Sequence, residues 1–222
     1  MLNGKQDKNG LLINGRLTWK TLKFQYYKHM ILDNVKVYDG KMLHARFAFS
    51  IFRKEVLAVG NIVAFRAPML VEKDGMIDLE DVLSEDYIYS DDAINFCWEI
   101  PNIDLFGAIA FQRLFNQQIA NILSDIIDAD IKMKGDDIMV QAAHNGGGIH
   151  QTSGKASVSI TCLRNGAALG HTGINVQAGK KAPAFAFSTN LSDQAAKDFM
   201  KRVVDEFYRL SDDIFVASTK VI

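Results

Sequence analysis

Lys155 stands directly after Gly154, at the entrance to a strand-like apolar run from Ala156 to Leu163. An ammonium at a strand entrance projects into any cleft the sheet borders. In a dry cleft a fixed cation stabilises negative charge gathering on a carboxylate or phosphate; the plain alternative is a lysine solvated at a strand end. Asp136 and Asp137 follow Gly135 in a turn between two short strand-like runs. Adjacent carboxylates there would hold Mg²⁺ beside a nucleotide phosphate, although turns favour aspartate for local reasons as well. Arg66 follows the apolar run Val63-Ala64-Phe65 and precedes Ala67-Pro68. Its planar fork suits a carboxylate or phosphate, or it pairs within the protein with Asp78, Glu80 or Asp81.

His144, His150 and His171 flank the run Gly146-Gly147-Gly148 on either side but lack the local spacing of a zinc site, so no zinc is expected. The glycines lack the Lys-Ser/Thr of a phosphate loop and read as a hairpin tip. His171, beside Gly173-Ile174-Asn175, is expected to face a pocket. Cys97 and Cys162 each lie in an apolar stretch with no second cysteine at metal or redox spacing. They read as buried core thiols, which fits a reducing, cytoplasmic setting.

These residues need a folded frame, and the composition supplies one. Of 222 residues 48% are apolar and 23% charged, enough for one sizeable core. Lys plus Arg (25) nearly balances Asp plus Glu (26) without long blocks of either sign, so nucleic acid is a disfavoured partner. No apolar run reaches bilayer length, and the N-terminus lacks the apolar core of a secretory signal, so no membrane partner is expected.

Residues 1–29 show no sustained period and read as a poorly ordered extension before a domain spanning 30–222. Met30 is either the true start, or it follows an ordered arm built on Trp19, Phe24, Tyr26 and Tyr27. Ile31 to Tyr38 alternates as a strand and ends at the turn pair Asp39-Gly40. Ala45 to Phe65 holds two strand-like runs, the second Asn61 to Phe65, which Arg66-Ala67-Pro68 closes. Ile94 to Ile100 alternates as a strand. Residues 103–128 form the clearest helix, with Phe106, Ile109, Leu114, Ile119, Leu123 and Ile126 at three- and four-residue steps and Asn102 or Asp104 as its cap. Strands follow at Asp130–Lys134, Ile138–Val140, Ala156–Leu163 and Ala168–Val176, the last two joined by the hairpin signal Asn165-Gly166. A final helix, Asp193 to about Leu210, is capped by Ser192 and turns Ala196, Met200, Val203, Phe207 and Leu210 inward. Strands and helices do not alternate regularly, so the expected fold is α+β, a mixed and mostly antiparallel sheet flanked by helices.

Three pieces, taken in order, resemble the second half of a biotin protein ligase catalytic domain: Lys132-Met133-Lys134-Gly135-Asp136-Asp137-Ile138-Met139-Val140, Ser153-Gly154-Lys155-Ala156-Ser157-Val158-Ser159-Ile160, and Leu169-Gly170-His171-Thr172-Gly173-Ile174-Asn175-Val176. The family counterparts are an acidic strand-turn-strand, a Gly-x-Lys strand and a Gly-Ile-Asn-Val strand. Upstream, Val63 to Pro68, Met76 to Val82 and Ile88-Tyr89-Ser90-Asp91-Asp92 narrow the resemblance to the branch called domain of unknown function 366, from about Met30 to the C-terminus. The resemblance implies the fold of class II aminoacyl-tRNA synthetases and biotin synthetases.

It also implies an activity: ATP-dependent activation of a small carboxylic acid through an acyl-adenylate, with ATP and Mg²⁺ as cofactors. Lys155 matches the lysine that contacts carboxylate and α-phosphate, and Arg66, Ser90, Asp91, His171 and Asn175 are the implied substrate or nucleotide contacts. Asp136 and Asp137 are the implied Mg²⁺ ligands. The partner would be a small carboxylic acid or a nucleotide, with a homodimer as a possible assembly. The sequence departs from the ligases in two places. Gly135-Asp136 replaces their Pro-Asn, and Arg66 keeps none of the surrounding glycines of the loop that closes over the adenylate. The related octanoyl and lipoyl transferases use a cysteine downstream of the Asn-Val strand, and residues 177–222 contain none. The alternative is a non-catalytic small-molecule or partner-binding module on the same fold. Deleting residues 1–29 is expected to leave cooperative thermal unfolding intact, because the core pattern begins at Ile31; insoluble truncated protein would show that the arm completes the core.

Overall fold

The computed structural model describes residues 31–52, 60–84, 87–143 and 153–221. The N-terminal extension, including Trp19, Phe24, Tyr26 and Tyr27, lies outside them, as do His144, His150 and the run Gly146-Gly147-Gly148. The elements are α1 (Phe47–Phe52), β1 (Asn61–Val71), α2 (Leu79–Leu83), β2 (Ile88–Pro101), α3 (Leu105–Ile127), β3 (Ala129–Lys134), β4 (Asp137–Ala143), β5 (Gly154–Lys155), β6 (Ser157–Arg164), β7 (Ala167–Gln177) and α4 (Asp193–Ser218). They form the expected α+β fold.

Four strands make an antiparallel sheet in the order β1-β2-β7-β6, and three make a smaller antiparallel sheet, β3-β4-β5. The larger sheet is covered on both faces. Ile62, Ala64, Ile94, Phe96 and Trp98 point to a core shared with α3 and α4, where Phe111, Phe115, Phe199 and Phe207 pack against them. The intervening residues Val63, Phe65 and Cys97 point the other way, to a second core closed by Tyr38, Leu43 and Phe47. Strand alternation sends successive side chains to opposite faces, so covering both faces buries β2 continuously over 93–99 and β7 over 167–176, polar residues such as Asn95 and His171 included. Cys97 and Cys162 are both buried free thiols.

Turn and cap chemistry sets the ends. Asp104, one of the two expected caps, accepts from the Gly107 amide at 2.6 Å, and Ser192 accepts from the Ala195 amide at 3.3 Å. Asn165 and Gly166 both adopt positive φ (47° and 77°), the backbone a two-residue hairpin between β6 and β7 demands. Gly170 has a different reason: a Cβ there would lie 2.0 Å from the Trp98 ring.

Three expectations are corrected. Ile31–Tyr38 is not a continuous strand; it forms isolated bridges to β1 at Ile31 with Ala64 and at Tyr38 with Met69, and Asn34 turns the backbone to φ 66° between them. Arg66-Ala67-Pro68 does not close β1, which runs on to Val71 through a register shift between Ala67 and Met69. A bulge is where a strand tolerates a residue without an amide hydrogen, and the Pro68 carbonyl still accepts from the Tyr38 amide at 2.9 Å. The first strand-like run in Ala45–Phe65 contains α1 instead. Its N-terminal amides are met by the buried Glu99 carboxylate, which accepts from Arg46 N (2.8 Å) and Ala48 N (3.4 Å).

The long helix is where expected, with Ile119 and Leu123 buried as read and Ile126 packed on the core. Phe106 (85% exposed) and Leu114 (51%) instead face outward, and Ala108, Phe111 and Phe115 are buried in that half of the helix. A segment apolar nearly all round offers more than one stripe. The final helix is longer than expected and buries Ala196, Met200, Val203 and Phe207 as read, with Leu210 half-buried against the same core. Gly170→Ala is expected to lower unfolding free energy by about 3 kcal/mol, the upper part of the overpacking range, because the rigid indole lacks room to withdraw. Denaturant titration checks this, and an unchanged midpoint would show that Trp98 has space to move.

Candidate functional site

A cavity of about 320 Å³ opens on the face of the larger sheet that carries Tyr38. Val158, Ile160, His171 and Asn175 contribute from β6 and β7, and Met76, Ile77 and Ile88 complete the apolar lining with them. Lys155, Pro183 and Phe185 border it as well. Three expected site residues, Lys155, His171 and Asn175, therefore meet at one cavity.

Lys155 is held by backbone on two sides. It pairs with Met139 of β4 and forms a parallel bridge with Ala186. Its amide donates to the Phe185 carbonyl and its own carbonyl accepts from the Phe187 amide, both at 2.8 Å. Its ammonium lies 2.7 Å from the Asp137 carboxylate, each side chain being somewhat under one-third exposed. A cation on so constrained a backbone is pre-positioned rather than recruited.

The two aspartates part company. Asp137 turns to Lys155, whereas Asp136 turns to α3, 3.4 Å from Arg113 and 3.4 Å from Gln112 Nε2. Among the described residues no group of three or more His, Cys, Asp or Glu side chains is arranged to hold a metal ion.

Arg66 lies away from the cavity-lining set and is engaged within the protein. It reaches Asp92 through Nε (3.0 Å to each oxygen) and Nη2 (2.6 Å), and Asp193 through Nη1 at 2.8 Å. Neither partner is among Asp78, Glu80 or Asp81. The hydrogen bonds to Asp92, above all, raise its pKa. Ser90 is fully buried and shares its hydroxyl proton between the Gln177 carbonyl (2.9 Å) and the Asp92 carbonyl (3.0 Å). Those bonds brace the register shift of β2 against β7 at Asp92. The Asp91 carboxylate accepts from the Tyr89 hydroxyl and packs over Gly179, where an added Cβ would lie 2.2 Å from Oδ2.

His171 is buried, stacked on Tyr38 with ring centroids 3.7 Å apart. Its Nε2 lies 3.0 Å from Asn95 Oδ1. Asn95 Nδ2 already donates to the Ala67 and Ala93 carbonyls at 3.2 and 3.3 Å, so its oxygen is the acceptor and His171 Nε2 carries the proton. Burial lowers the His171 pKa to about 3, and the ring is neutral at ordinary pH.

Sequence reasoning missed a buried polar cluster behind the cavity wall. Gln112 and Asn116 sit on the buried face of α3; Asn116 Nδ2 donates to Ser159 Oγ (2.9 Å) and the Asp136 carbonyl (3.0 Å), and its Oδ1 accepts from Thr172 (2.8 Å). Gln112 Nε2 donates to Ser159 Oγ at 2.7 Å. The available signal was two polar residues four apart among Ala108, Phe111, Phe115 and Ile119.

The low His171 pKa carries a stability consequence. Above pH 6.5 the ring is neutral in folded and unfolded chains alike. As pH falls from there towards 3, the unfolded chain takes up a proton that the folded ring refuses, so stability is lost. His171→Phe keeps a ring against Tyr38 and removes this linkage. Between pH 7 and 5 the wild type is expected to lose about 2 kcal/mol relative to the variant. Urea titrations at the two pH values measure the gap; an equal gap at both would mean that the folded ring titrates normally.

No curated protein matches the chain. A solved protein of unknown function from Pyrococcus horikoshi is 24% identical, with TM-score 0.73 over 87% of this chain and 96% of that one, which shows a shared fold. A biotin protein ligase from Aquifex aeolicus in complex with biotin and ATP is 12% identical, with TM-score 0.46 over 80% of this chain and 70% of that one. A bipartite lipoate protein ligase from Thermoplasma acidophilum is 11% identical, with TM-score 0.40 over 66% and 72% of the two chains. None of the described helices is long and apolar enough to cross a membrane. Residues 27–222 match the family described as domain of unknown function (DUF366), and the chain belongs to that family.

Proposed function

We propose that this chain activates a small carboxylic acid with ATP in a reducing, cytoplasmic setting, Lys155 serving as the clamp on carboxylate and α-phosphate. In the proposed step a carboxylate oxygen attacks the α-phosphorus, an acyl–phosphate bond forms, and pyrophosphate leaves. Negative charge gathers on the phosphoryl oxygens, and a fixed ammonium there lowers the barrier by a few kcal/mol. The observation that carries this reading is Lys155 itself: the cation of the Ser153-Gly154-Lys155 piece borders the cavity on a backbone fixed from both sides. The cavity's walls are largely apolar, as a small acid's body requires.

The acidic donor set fits Mg²⁺ through one residue. Mg²⁺ is commonly bound by one or two carboxylates together with substrate phosphates and water. Asp137 stands beside Lys155 for that role, while Asp136 is turned to Arg113. When bound, Mg²⁺ would neutralise phosphate charge; this chain's own share is to hold the ammonium and to orient the acid along the wall at Val158 and Ile160.

One observation favours the second reading, a module that binds a small molecule without nucleotide chemistry. Arg66, the one arginine at the place of the ligase loop, is spent on Asp92 and Asp193.

Purified protein examined by native mass spectrometry, then by thermal shift with ATP, Mg²⁺ and a panel of small acids, separates the two. Lys155→Ala is expected to keep the melting temperature within the narrow range of a surface substitution while ligand capture falls at least tenfold. Lys155→Arg is expected to be impaired too, since a broad guanidinium does not reproduce a compact ammonium. Unchanged capture in both variants would leave Lys155 a structural strand-end residue and remove the clamp.

A further inference from the structure

Far from the cavity, the face of α4 beside the outer edge of β1 is acidic and apolar, and the chain enters the domain next to it. The Ile62 amide donates to the Tyr208 hydroxyl of α4 at 3.4 Å. Two residues along the same edge, the Ala64 carbonyl accepts from the Leu32 amide at 2.8 Å, and Ile31 bridges Ala64 in the parallel sense. Going back along the chain from Ile31 therefore leads past Ile62 and Tyr208. Arg66 meets Asp193 at the start of α4 and Ile62 meets Tyr208 farther along it, so this direction leads on to the C-terminal turns of the helix. Tyr208, Asp212 and Phe215 follow at steps of four and three residues, which places them on one stripe. Asp212 is half-buried and Asp213 exposed, while Ile214 and Phe215 are 41% and 50% exposed and belong to neither core.

The segment that arrives there has the matching chemistry. Residues 1–29 hold six of the 25 Lys and Arg and one of the 26 Asp and Glu, a formal charge of +5 ahead of a remainder at −6. Residues 16–28 carry Arg16, Lys20, Lys23 and Lys28 with no acid among them, interleaved with Trp19, Leu22 and Phe24. The C-terminal half of α4 has the opposite sign, with Asp205, Glu206, Asp212 and Asp213 against Arg209. The reach suffices as well. From Ala64 past Tyr208 to Phe215 is about 17 Å along the two elements, and the eight residues from Lys23 to Ile31 extend to about 26 Å. We propose that residues 16–28 dock on this face of α4, Lys20 and Lys23 meeting Asp212 and Asp213 while Trp19 covers Ile214 and Phe215. The contact lies outside both cores and holds whatever ligand fills the cavity.

Acrylamide quenching of the full chain tests this. The chain has two tryptophans, and Trp98 is fully buried, so the quencher reads Trp19. In the wild type Trp19 is expected to be protected. Lys20→Glu with Lys23→Glu is expected to raise the quenching constant about threefold or more, because like charges brought together oppose the contact. Asp212→Lys with Asp213→Lys, at exposed and half-exposed positions where substitution spares the fold, is expected to do the same. All four substitutions together are expected to restore protection, which independent local effects at the two sites do not produce. Trp19 equally open in the wild type and the reversed variants, or protection indifferent to the α4 substitutions, would overturn the assignment. Protection that disappears on dilution, together with a dimer in sedimentation, would overturn it too, since a second copy would then be the occupant.

Discussion

Asn116 is fully buried between a helix and a sheet, and the geometry of the site depends on its amide. Its nitrogen donates to Ser159 on β6 and to the carbonyl of Asp136, and its oxygen accepts from Thr172 on β7. Ser159 Oγ accepts from Asn116 and Gln112, which leaves its proton for Thr172 Oγ1, 3.3 Å away. The cluster is thus satisfied from within, and a satisfied buried network fixes one arrangement where apolar contacts alone would permit several. Two consequences reach the cavity. The β3–β4 turn is tied to α3, and β4 is tied to β6 because the Ile138 amide donates to Ser157 Oγ at 2.8 Å. Asp137 lies on β4, and Lys155 lies on β5, which pairs with β4 two residues ahead of Ser157; the two side chains meet at 2.7 Å.

The charge distribution follows from the same layering. Behind the cavity wall every polar group is neutral or paired within the protein, and the ring of His171 is held neutral by burial. Burial also raises the pKa of Tyr38 and of the Cys97 thiol, so neither supplies an anion near neutral pH. The ionic pair therefore sits where side chains retain some solvent, at Lys155 and Asp137. An anion entering the cavity meets one partly exposed cation whose existing partner is a carboxylate, and it competes with that carboxylate for the ammonium.

Much of the frame was legible in the sequence because its signals were local. Strand alternation at Ile94–Ile100, the Asn165-Gly166 turn and the caps Asp104 and Ser192 each depend on a few neighbouring residues. Features set by distant contacts were not legible. The role of Glu99 as a partner for the amides of α1 joins residues about fifty positions apart, and no local pattern announces it. Apolar spacing points Phe106 and Leu114 of α3 inward, whereas the buried face in that half of the helix includes the polar Gln112 and Asn116, whose burial depends on partners on β6 and β7. Of the expected site residues, Lys155, His171 and Asn175 share the cavity. Sequence order placed Arg66, Ser90 and Asp91 near them but did not show that bonds within the protein already occupied all three.

Arg66 shows why a matched place in sequence is weaker than a matched environment. A guanidinium that closes over a phosphate has to be released from its resting partners, and its release leaves those partners exposed to one another. Here both partners are carboxylates, and Asp193 opens α4, where a negative charge favours the helix N-terminus. Moving Arg66 to a ligand would leave Asp92 without the bidentate partner it now has, at 26% side-chain exposure. A loop rich in glycine makes such a rearrangement cheap by moving the backbone as well; β1 does not, because Arg66 lies within a strand paired on both sides of it, to Ile94 in register and through Ala64 and Met69 to the Ile31–Tyr38 segment. Among the described residues that line the cavity the one lysine or arginine is Lys155, whose backbone is fixed and whose partner is a single carboxylate, Asp137, whereas Arg66 is outside that lining and holds two.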